Sequence, residues 1–282
     1  MRTGQLDSEA TERFLDEGML LLRGFYDLEH DIVPIQRGIR EVIGQVMQRH
    51  GVTDTREGAD PERFDDGFLD LIGQNRAWGG EVYDAVKQVP AFMRLVAHPM
   101  NESLVRSLRP GSVPGLAAGG YGIRIDNPGE DRFRTLWHQE YPAQLRSLDG
   151  IVFWSPLVPV HRELGPVQIC PGSHREGPLR VTTAAGPGRS GAYALALENE
   201  QEVVGRYTKV TFDLEPGDLL LLDFQLLHAS GHNRGDRSRW SMQFRYFNFA
   251  EPTGRAHGWK GSFAAGVDFR DVHPELCADA PR

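Results

Sequence analysis

Residues 135–143, TLWHQEYPA, place a histidine and a glutamate two positions apart, with a tryptophan before them and a tyrosine after them. If this stretch is a β-strand, the side chains of His138 and Glu140 project from the same face, because alternate residues of a strand point the same way. An imidazole and a carboxylate on one face are two of the ligands that a metal site needs. The same pattern occurs in purely structural strands, so the metal interpretation requires a third ligand.

The third ligand is expected at the end of a long apolar run. The segment GDLLLLDFQLLHAS predicts a buried strand that carries His228 close to its end. The buried backbone holds such a residue in place while its imidazole faces a cavity. Two histidines and one carboxylate on one face of an iron leave three coordination positions open, which is the facial triad of non-haem Fe(II) oxygenases.

An acidic co-substrate for those open positions needs a cation, and the next predicted strand, RWSMQFRYFNF, begins with Arg239. Its planar guanidinium matches a carboxylate through parallel hydrogen bonds. If 2-oxoglutarate chelates iron through its keto and C1 carboxylate oxygens, Arg239 is expected to hold the far carboxylate. The hydroxyl of Ser230 is a second donor for the same group.

Three strings in this order, WHQEY, GPVQICPGSHREG and EPGDLLLLDFQLLHASGHNRGDRSR, resemble the phytanoyl-CoA dioxygenase family of Fe(II)/2-oxoglutarate oxygenases. With an N-terminal helix–strand–helix pattern, the resemblance covers about residues 5–250. It implies a mainly β fold with flanking helices around a double-stranded β-helix, or jelly roll. It also implies Fe(II) as cofactor, 2-oxoglutarate as co-substrate and O₂ as oxidant.

The resemblance also assigns roles to individual residues. It makes His138, Glu140 and His228 the iron ligands and Arg239 the main 2-oxoglutarate anchor, with Ser230 beside it. The other cofactor-binding positions that it indicates are Trp154, Gln139, Tyr121 and Arg124, the last two on a segment that lines the active site in relatives. Arg245 and His174 have weaker support, Arg245 as a pocket residue and His174 as a local hydrogen-bonding partner.

One position departs from the family pattern, because the family usually has aspartate where this chain has Glu140. Glutamate is one methylene longer and is still an anionic oxygen donor, so the triad is retained if the backbone adjusts. The presence of a ligating carboxylate also argues against halogenation, which in such folds requires a non-ligating residue there.

The remaining sequence supplies the elements that position these residues. We expect one domain over residues 1–282, with helical support over about 5–110 and a jelly-roll core over about 112–250. An insertion at about 183–205 is a candidate lid or a surface loop, and a tail without periodicity follows over 251–282. Expected helices include SEATERFLDE, capped by Ser8, and one continuous helix over roughly 81–99.

Composition excludes several partners. The formal net charge of −8 and a sequence pI near 5.7 disfavour nucleic acid and anionic membranes. The two cysteines form no disulfide framework, and the N-terminus lacks the apolar region of a secretory signal. We therefore expect a cytoplasmic protein with a small-molecule substrate, and the sequence leaves its oligomeric state open.

The function that these features indicate is oxidation of an unactivated C–H bond, by hydroxylation or oxidative cyclisation. An arginine-rich composition with few lysines favours a bacterial secondary metabolite, such as a sugar-derived antibiotic, as the substrate. Two alternatives stay open: a non-catalytic metal-binding jelly roll, and a fatty acyl-CoA or amino-acid hydroxylase of the same family.

Overall fold

The N-terminal part of the protein is helical in the computed structural model, which describes residues 4–58, 60–182, 195–261 and 267–278. A π-helical turn at Leu28–Ile32 leads into the longest helix. The first six α-helices are α1 Ser8–Glu17, α2 Val33–Arg49, α3 Phe68–Gln74, α4 Arg76–Val86, α5 Pro90–Val96 and α6 Pro99–Leu108. Helix α2 buries Ile35, Ile39 and Ile43 on one face, as its sequence periodicity predicts.

Two sequence predictions about these helices are wrong in detail. Helix α1 is capped by Asp7, whose side chain accepts a hydrogen bond from the backbone N–H of Ala10, and not by Ser8. The expected single helix over 81–99 is divided between α4, α5 and α6. Pro90 and Pro99 each begin a new helix, because proline lacks the N–H that an ongoing helix requires and fits the first helical turn.

The strands form one large antiparallel sheet and two small ones. The strands are β1 Met19–Leu22, β2 Pro114–Leu116, β3 Gly122–Asp126, β4 Gly150–Pro156, β5 Val167–Ile169, β6 Val181–Thr182, β7 Ala196–Leu197, β8 Leu219–Asp223, β9 His228–Ser230 and β10 Arg239–Asn248. The large sheet has the order β1-β8-β4-β10-β2. Strands β3 and β2 pair with the same edge of β10, β3 with its N-terminal half and β2 with its C-terminal end. The small sheets are β5-β9 and β6-β7.

Two expected strands are not formed. TLWHQEY makes only one isolated bridge, His138 to His228, and the chain then turns into the short helix α7, Tyr141–Gln144. YTKVTFDL, residues 207–214, is also typical of a β-strand in the sequence, but it makes only isolated bridges at Val210 and Leu214. The fold is thus a mixture of helices and antiparallel sheets, and the expectation of a mainly β protein holds only in part.

The core lies between the large sheet and the N-terminal helices. Strands β4 and β10 pair antiparallel, with Phe153 opposite Phe244, and their rings stack with centroids 4.9 Å apart. The other face of these strands carries polar residues together with Val152 and Trp154, and it faces the candidate site described below. One wall of the site is therefore backed by close-packed apolar side chains, which hold it rigid.

The segments that the sequence predicted least well are short and irregular. Residues 183–194 of the expected lid lie outside the described residues, and the rest of 183–205 contains β7 and helix α8, Glu200–Gly205. The C-terminal tail forms helices α9, Pro252–Ala256, and α10, Phe269–Val272, and Phe269 is buried in the main core. Within the described ranges, no helix combines the length and apolar character that a membrane span needs.

Candidate metal centre

Three potential ligands converge at the end of the small β5-β9 sheet. One ligand atom from each of His138, Glu140 and His228 lies within 4.8 Å of the others. Oε2 of Glu140 lies 3.8 Å from Nε2 of His138 and 3.9 Å from Nε2 of His228. The structure thus brings together the three residues that the sequence nominates as ligands.

Backbone pairing sets the distance between the two histidines. His138 and His228 are directly opposite each other in an antiparallel bridge, and each backbone N–H donates to the carbonyl of the other at 3.1 Å. Each Nδ1 lies 2.9 Å from the carbonyl of the residue two positions earlier, Leu136 or Leu226. These contacts place the proton on Nδ1, so Nε2 of each ring is left with its lone pair for a metal.

Glu140 reaches the same point from a helix start rather than from a strand. Its backbone is already helical, with φ −70° and ψ −32°, and it precedes α7. Four residues on, Gln144 donates from Nε2 to Oε1 of Glu140 at 3.1 Å, and Arg245 donates from Nε to the same oxygen at 3.0 Å. Arg245 also donates from Nη2 to Oε2, at the longer distance of 3.4 Å. Oε1 therefore has the closer protein partners, while Oε2 points between the two histidines.

The charges of the site favour metal binding over protonation. Burial alone would raise the pKa of the Glu140 carboxyl, but Arg245 and then His138 hold it well below its usual range. Burial, with His138 nearby, lowers the pKa of His228 to about 3. At neutral pH the site therefore offers one carboxylate and a neutral His228 imidazole, both in the protonation state that a metal requires.

This donor set fits iron. Two imidazole nitrogens and one carboxylate oxygen, all on one side of a point in space, match the 2-His-1-carboxylate arrangement of non-haem Fe(II) enzymes. Because Oε1 accepts the two shorter hydrogen bonds, from Arg245 and Gln144, and Oε2 lies nearest the two imidazoles, the geometry favours coordination through Oε2. A carboxylate that binds with one oxygen leaves more of the metal's coordination sphere for a co-substrate.

The three residues open into a cavity of about 90 Å³, which we call the metal cavity. Of the residues nominated for cofactor binding, Ser230, Trp154 and Arg124 line it. Thr135, Gln243 and Arg245 also contribute to its wall. Arg124 is paired through Nε and Nη2 with Asp126, at 2.9 and 2.7 Å.

Arg239 lies near this cavity without lining it. It is only 1% exposed, and Nη2 donates to Asp126 at 2.7 Å. Its cross-strand neighbour on β3 is Asp126, whereas Arg124, which lines the cavity, is opposite Ser241. On β10 the cavity is lined by Gln243 and Arg245, so Arg239 lies four residues from the nearest lining residue of its own strand.

The surroundings of Arg239 contain unused hydrogen-bonding groups. Its Nε and Nη1 atoms, and Oγ of Ser241, are buried and have no hydrogen-bond partner among the described residues. Arg239 and Ser241 project from the same face of β10, two residues apart. Because buried donors without partners are costly, a buried anion at this place would satisfy them.

Two nominated residues point elsewhere. Gln139 donates to the carbonyls of Gly177 and Gln225 at 2.9 and 2.7 Å and accepts from the N–H of Leu179 at 2.8 Å. His138 and Glu140 line the cavity, whereas Gln139 between them does not. The side chain of Gln139 links the loops that contain its hydrogen-bond partners. Tyr121 packs edge-on against Phe92 of α5, with ring centroids 6.5 Å apart.

Sequence reasoning gave too little weight to three residues around the ligands. Arg245 and Gln144 hold Glu140, and Asp126 pairs with both Arg124 and Arg239, which leaves one positive charge in excess. Burial opposes ionisation of Asp126, but the two guanidinium groups lower its pKa to about 2. The alternation of polar residues in RWSMQFRYF would have indicated that positions 239, 241, 243 and 245 share one face.

The sequence matches a family model described as phytanoyl-CoA dioxygenase (PhyH) over residues 14–241. This range includes the three converging residues and Arg239. No curated protein gives a significant match to the sequence.

Solved structures share the fold at low sequence identity. The non-haem α-ketoglutarate-dependent epimerase SnoN from nogalamycin biosynthesis is 19% identical, with 92% of this chain and 90% of that chain covered, at a TM-score of 0.52. The carbocyclase SnoK from the same biosynthesis is 16% identical, with coverages of 88% and 86% and a TM-score of 0.55. EctD from S. alaskensis, solved with 2-oxoglutarate and 5-hydroxyectoine, is 16% identical, with coverages of 86% and 76% and a TM-score of 0.56.

Proposed function

Because the chain belongs to the phytanoyl-CoA dioxygenase family of iron- and 2-oxoglutarate-dependent oxygenases, we propose that His138, Glu140 and His228 hold Fe(II) and that the protein oxidises an unactivated C–H bond of a small molecule. The observation that carries this proposal is the convergence of two Nε2 atoms and one carboxylate oxygen within 4.8 Å of one another. Nothing in a purely structural role requires that both imidazoles turn their unprotonated nitrogen toward the same carboxylate oxygen.

O₂ would be the oxidant, iron and 2-oxoglutarate would activate it, and the protein's own residues position these groups. The backbone bridge fixes the two imidazoles, and Arg245 with Gln144 fixes the carboxylate. A preorganised ligand set does not have to rearrange when the metal binds, which favours affinity and a defined geometry. Trp154 and Val152, on the apolar wall of the metal cavity, exclude water from it.

Arg239 and Ser241 are the residues that we propose bind the distal carboxylate of 2-oxoglutarate. Ser230 and Arg124, which line the metal cavity, are proposed to lie between that carboxylate and the metal. The unpartnered Nε and Nη1 atoms of Arg239 support this assignment. Asp126 engages only Nη2, so the remaining donors are available to a second anion. Gln139 is not part of this proposal, because its side chain is used by backbone partners.

A bacterial secondary metabolite, such as a sugar-derived antibiotic, is the proposed substrate. SnoN and SnoK act in nogalamycin biosynthesis, which supports a tailoring role on a shared fold. The net charge of −8 argues against a coenzyme A thioester, whose phosphates require a basic surface. The jelly-roll core over about 112–250, hydroxylation or oxidative cyclisation as the outcome, and a cytoplasmic location belong to the same proposal.

Metal binding is the first test of the proposal. Calorimetry with Mn(II) in place of Fe(II) is expected to show one site in the wild type and none in His228→Ala. His232→Ala is the matched control, because that histidine is four residues further on, exposed and paired with Asp131. Equal Mn(II) affinity in the wild type and His228→Ala would show that the triad is not the metal site.

Co-substrate binding is the second test. 2-Oxoglutarate is expected to bind the Mn(II)-loaded protein and to lose most of its affinity in Arg239→Ala. Arg237→Ala is the control, since it removes the neighbouring arginine, which pairs with Asp65 outside the cavity. Release of succinate in the presence of a candidate substrate separates an enzyme from a non-catalytic metal-binding jelly roll. Unchanged affinity in Arg239→Ala would refute the anchor assignment.

A further inference from the structure

The side chain of Arg146 is a buried guanidinium without a carboxylate partner among the described residues. Arg146 is 6% exposed, and burial lowers the pKa of its guanidinium. Its hydrogen-bond partners are neutral: Nη1 donates to Oε1 of Gln144 at 3.0 Å, and Nη2 donates to the carbonyl of Ala118 at 2.5 Å. Because burial of an unpaired charge is costly, the presence of this arginine points to a role other than ion pairing.

Gln144 joins Arg146 to the proposed ligand Glu140. Its Nε2 donates to Oε1 of Glu140 at 3.1 Å, and its own Oε1 accepts from Arg146. The orientation of the amide is unambiguous, because a guanidinium only donates and an ionised carboxylate only accepts. Two linked hydrogen bonds therefore run from Arg146 through Gln144 to Glu140, and we call them the amide relay.

The backbone between the two side chains of the relay is fixed by packing. Leu145 has a left-handed φ of 56°, a conformation that residues other than glycine rarely adopt. Its side chain is fully buried in the main core, which offsets the cost of this conformation. The turn at Leu145 ends helix α7 and lies between Gln144 and Arg146, whose side chains meet.

The C-terminal tail packs closely on Arg146. A Cβ atom added to Gly261 would lie 2.5 Å from Cζ of Arg146, so the guanidinium lies directly against that glycine. A Cβ atom added to Gly254, in helix α9, would collide with the carbonyl oxygen of Arg146. These contacts hold both the backbone and the guanidinium of Arg146, so its side chain has little freedom to leave Gln144.

The relay acts on one of the two carboxylate oxygens of Glu140. Arg245 contacts both, at 3.0 Å for Oε1 and 3.4 Å for Oε2, whereas Gln144 donates to Oε1 alone. The hydrogen bond from Arg146 polarises the amide of Gln144 and strengthens its N–H as a donor, since linked hydrogen bonds reinforce one another. The relay therefore favours Oε1 as the oxygen that the protein holds.

We propose that Arg146 is a positioning residue of the metal site, which acts through Gln144 to hold Oε1 of Glu140 so that Oε2 stays available to the metal. This inference rests on the proposed function, in which Glu140 is a ligand. It assigns a role in the site to a residue that does not line the metal cavity and lies two hydrogen bonds from Glu140.

A double-mutant cycle on Mn(II) affinity tests this role, with Arg146→Met, Gln144→Met and the double variant measured by calorimetry. Methionine fills a similar volume, and Arg146→Met leaves no buried charge unpaired. Gln144→Met is expected to weaken Mn(II) binding about tenfold, because the partners that orient a metal ligand typically contribute 10–100-fold to affinity. Arg146→Met breaks the relay, but it also removes a positive charge, which by itself favours Mn(II) binding.

The cycle separates these two effects of Arg146. The effect of the lost charge is the same with and without Gln144, so it cancels in the comparison. Arg146→Met is expected to weaken Mn(II) binding by a factor about threefold or more larger in the wild-type background than in the Gln144→Met background. A smaller difference would overturn the proposal. If Arg146→Met does not fold, Arg146→Gln replaces it with the same expectation, because its side chain is two bonds shorter.

The EPR spectrum of bound Mn(II) is the second readout, since it reports the symmetry of the ligand set. Arg146→Met and Gln144→Met are expected to change it in the same way. Arg56→Met is the matched control, because the Arg56 side chain is 7% exposed but pairs with Asp54 beside helix α2, and Arg56 does not line the metal cavity. An unchanged spectrum in Gln144→Met, or an equal change in Arg56→Met, would overturn the proposal.

The wild type distinguishes failure of this inference from failure of the proposed function. If the wild type binds no Mn(II), or if His228→Ala binds it equally well, the proposed function fails and the role of Arg146 fails with it. If the wild type binds Mn(II) at the triad but the cycle shows no coupling between positions 144 and 146, only the role of Arg146 fails.

Discussion

Asp126 is the carboxylate on which the buried arginines of the site depend, and Asp126→Asn is the substitution that tests this. Asp126 accepts hydrogen bonds from Nη2 of Arg239 at 2.7 Å and from Nε and Nη2 of Arg124. Arg239 is 1% exposed and has no other carboxylate partner among the described residues. An asparagine has nearly the same shape but no charge, so the variant leaves the guanidinium of Arg239 buried without its counter-ion.

The expected loss of stability follows from two independent magnitudes. Removing one partner of a buried ion pair typically costs about 3–5 kcal/mol. The pKa of Asp126 falls from 3.8 to about 2 on folding, and at about 1.36 kcal/mol per unit this corresponds to roughly 2.5 kcal/mol. We therefore expect Asp126→Asn to lower the free energy of unfolding by roughly 3 kcal/mol at neutral pH.

The same pKa shift predicts a pH dependence with a defined sign. Because folding lowers the pKa of Asp126, its stabilising contribution is complete above the unfolded value of about 3.8 and is lost as the pH falls toward about 2. The difference in unfolding free energy between wild type and Asp126→Asn should therefore shrink across this window. A constant difference would contradict the assignment of the effect to this carboxylate.

Urea denaturation of the metal-free protein at several pH values is the assay. Asp16→Asn is the matched control, because Asp16 pairs with Arg175 at 2.5 Å and both side chains are largely exposed. Such surface pairs contribute roughly 0–1 kcal/mol. If Asp126→Asn costs no more than Asp16→Asn, the argument that Arg239 depends on a buried counter-ion is wrong.

Two further predictions concern the supports of the site. Tyr141→Phe removes the hydrogen bond between the Tyr141 hydroxyl and Nε2 of His273 and is expected to lower the free energy of unfolding by about 1–2 kcal/mol, measured by urea denaturation. An unchanged denaturation midpoint would show that the C-terminal tail does not support α7. Gly18→Ala is expected to lower the free energy of unfolding more than Gly51→Ala. Both glycines have positive φ, but only at Gly18 would an added Cβ atom meet a neighbour, Nδ1 of His174 at 2.4 Å. Equal midpoints for these two variants would contradict that packing argument.

The residues with distinctive chemistry were the most predictable part of this protein. His138, Glu140, His228 and Arg239 were nominated because their donor types and order match a known chemistry, and the first three converge in the structure. Prediction of a buried strand also succeeded where the apolar run was long, as in β8. These features depend on residue type and on local pattern, which a single sequence displays.

Features that depend on tertiary contacts were predicted poorly. TLWHQEY was expected to be a strand, yet Glu140 immediately precedes a helical turn, and only Pro142 at the second position of that turn signals it. The pairing of Glu140 with Arg245 joins residues that are distant in the chain, so no local pattern reveals it. Gln139 was misassigned for a related reason, since its partners are backbone groups of loops elsewhere.

The backbone bridge between His138 and His228 has a consequence for biosynthesis. A nascent polypeptide that ends before His228 holds only two of the three proposed ligands, and it lacks the segment that pairs with the backbone of His138. Under the proposed function, capture of iron by the complete triad therefore has to follow synthesis of β9.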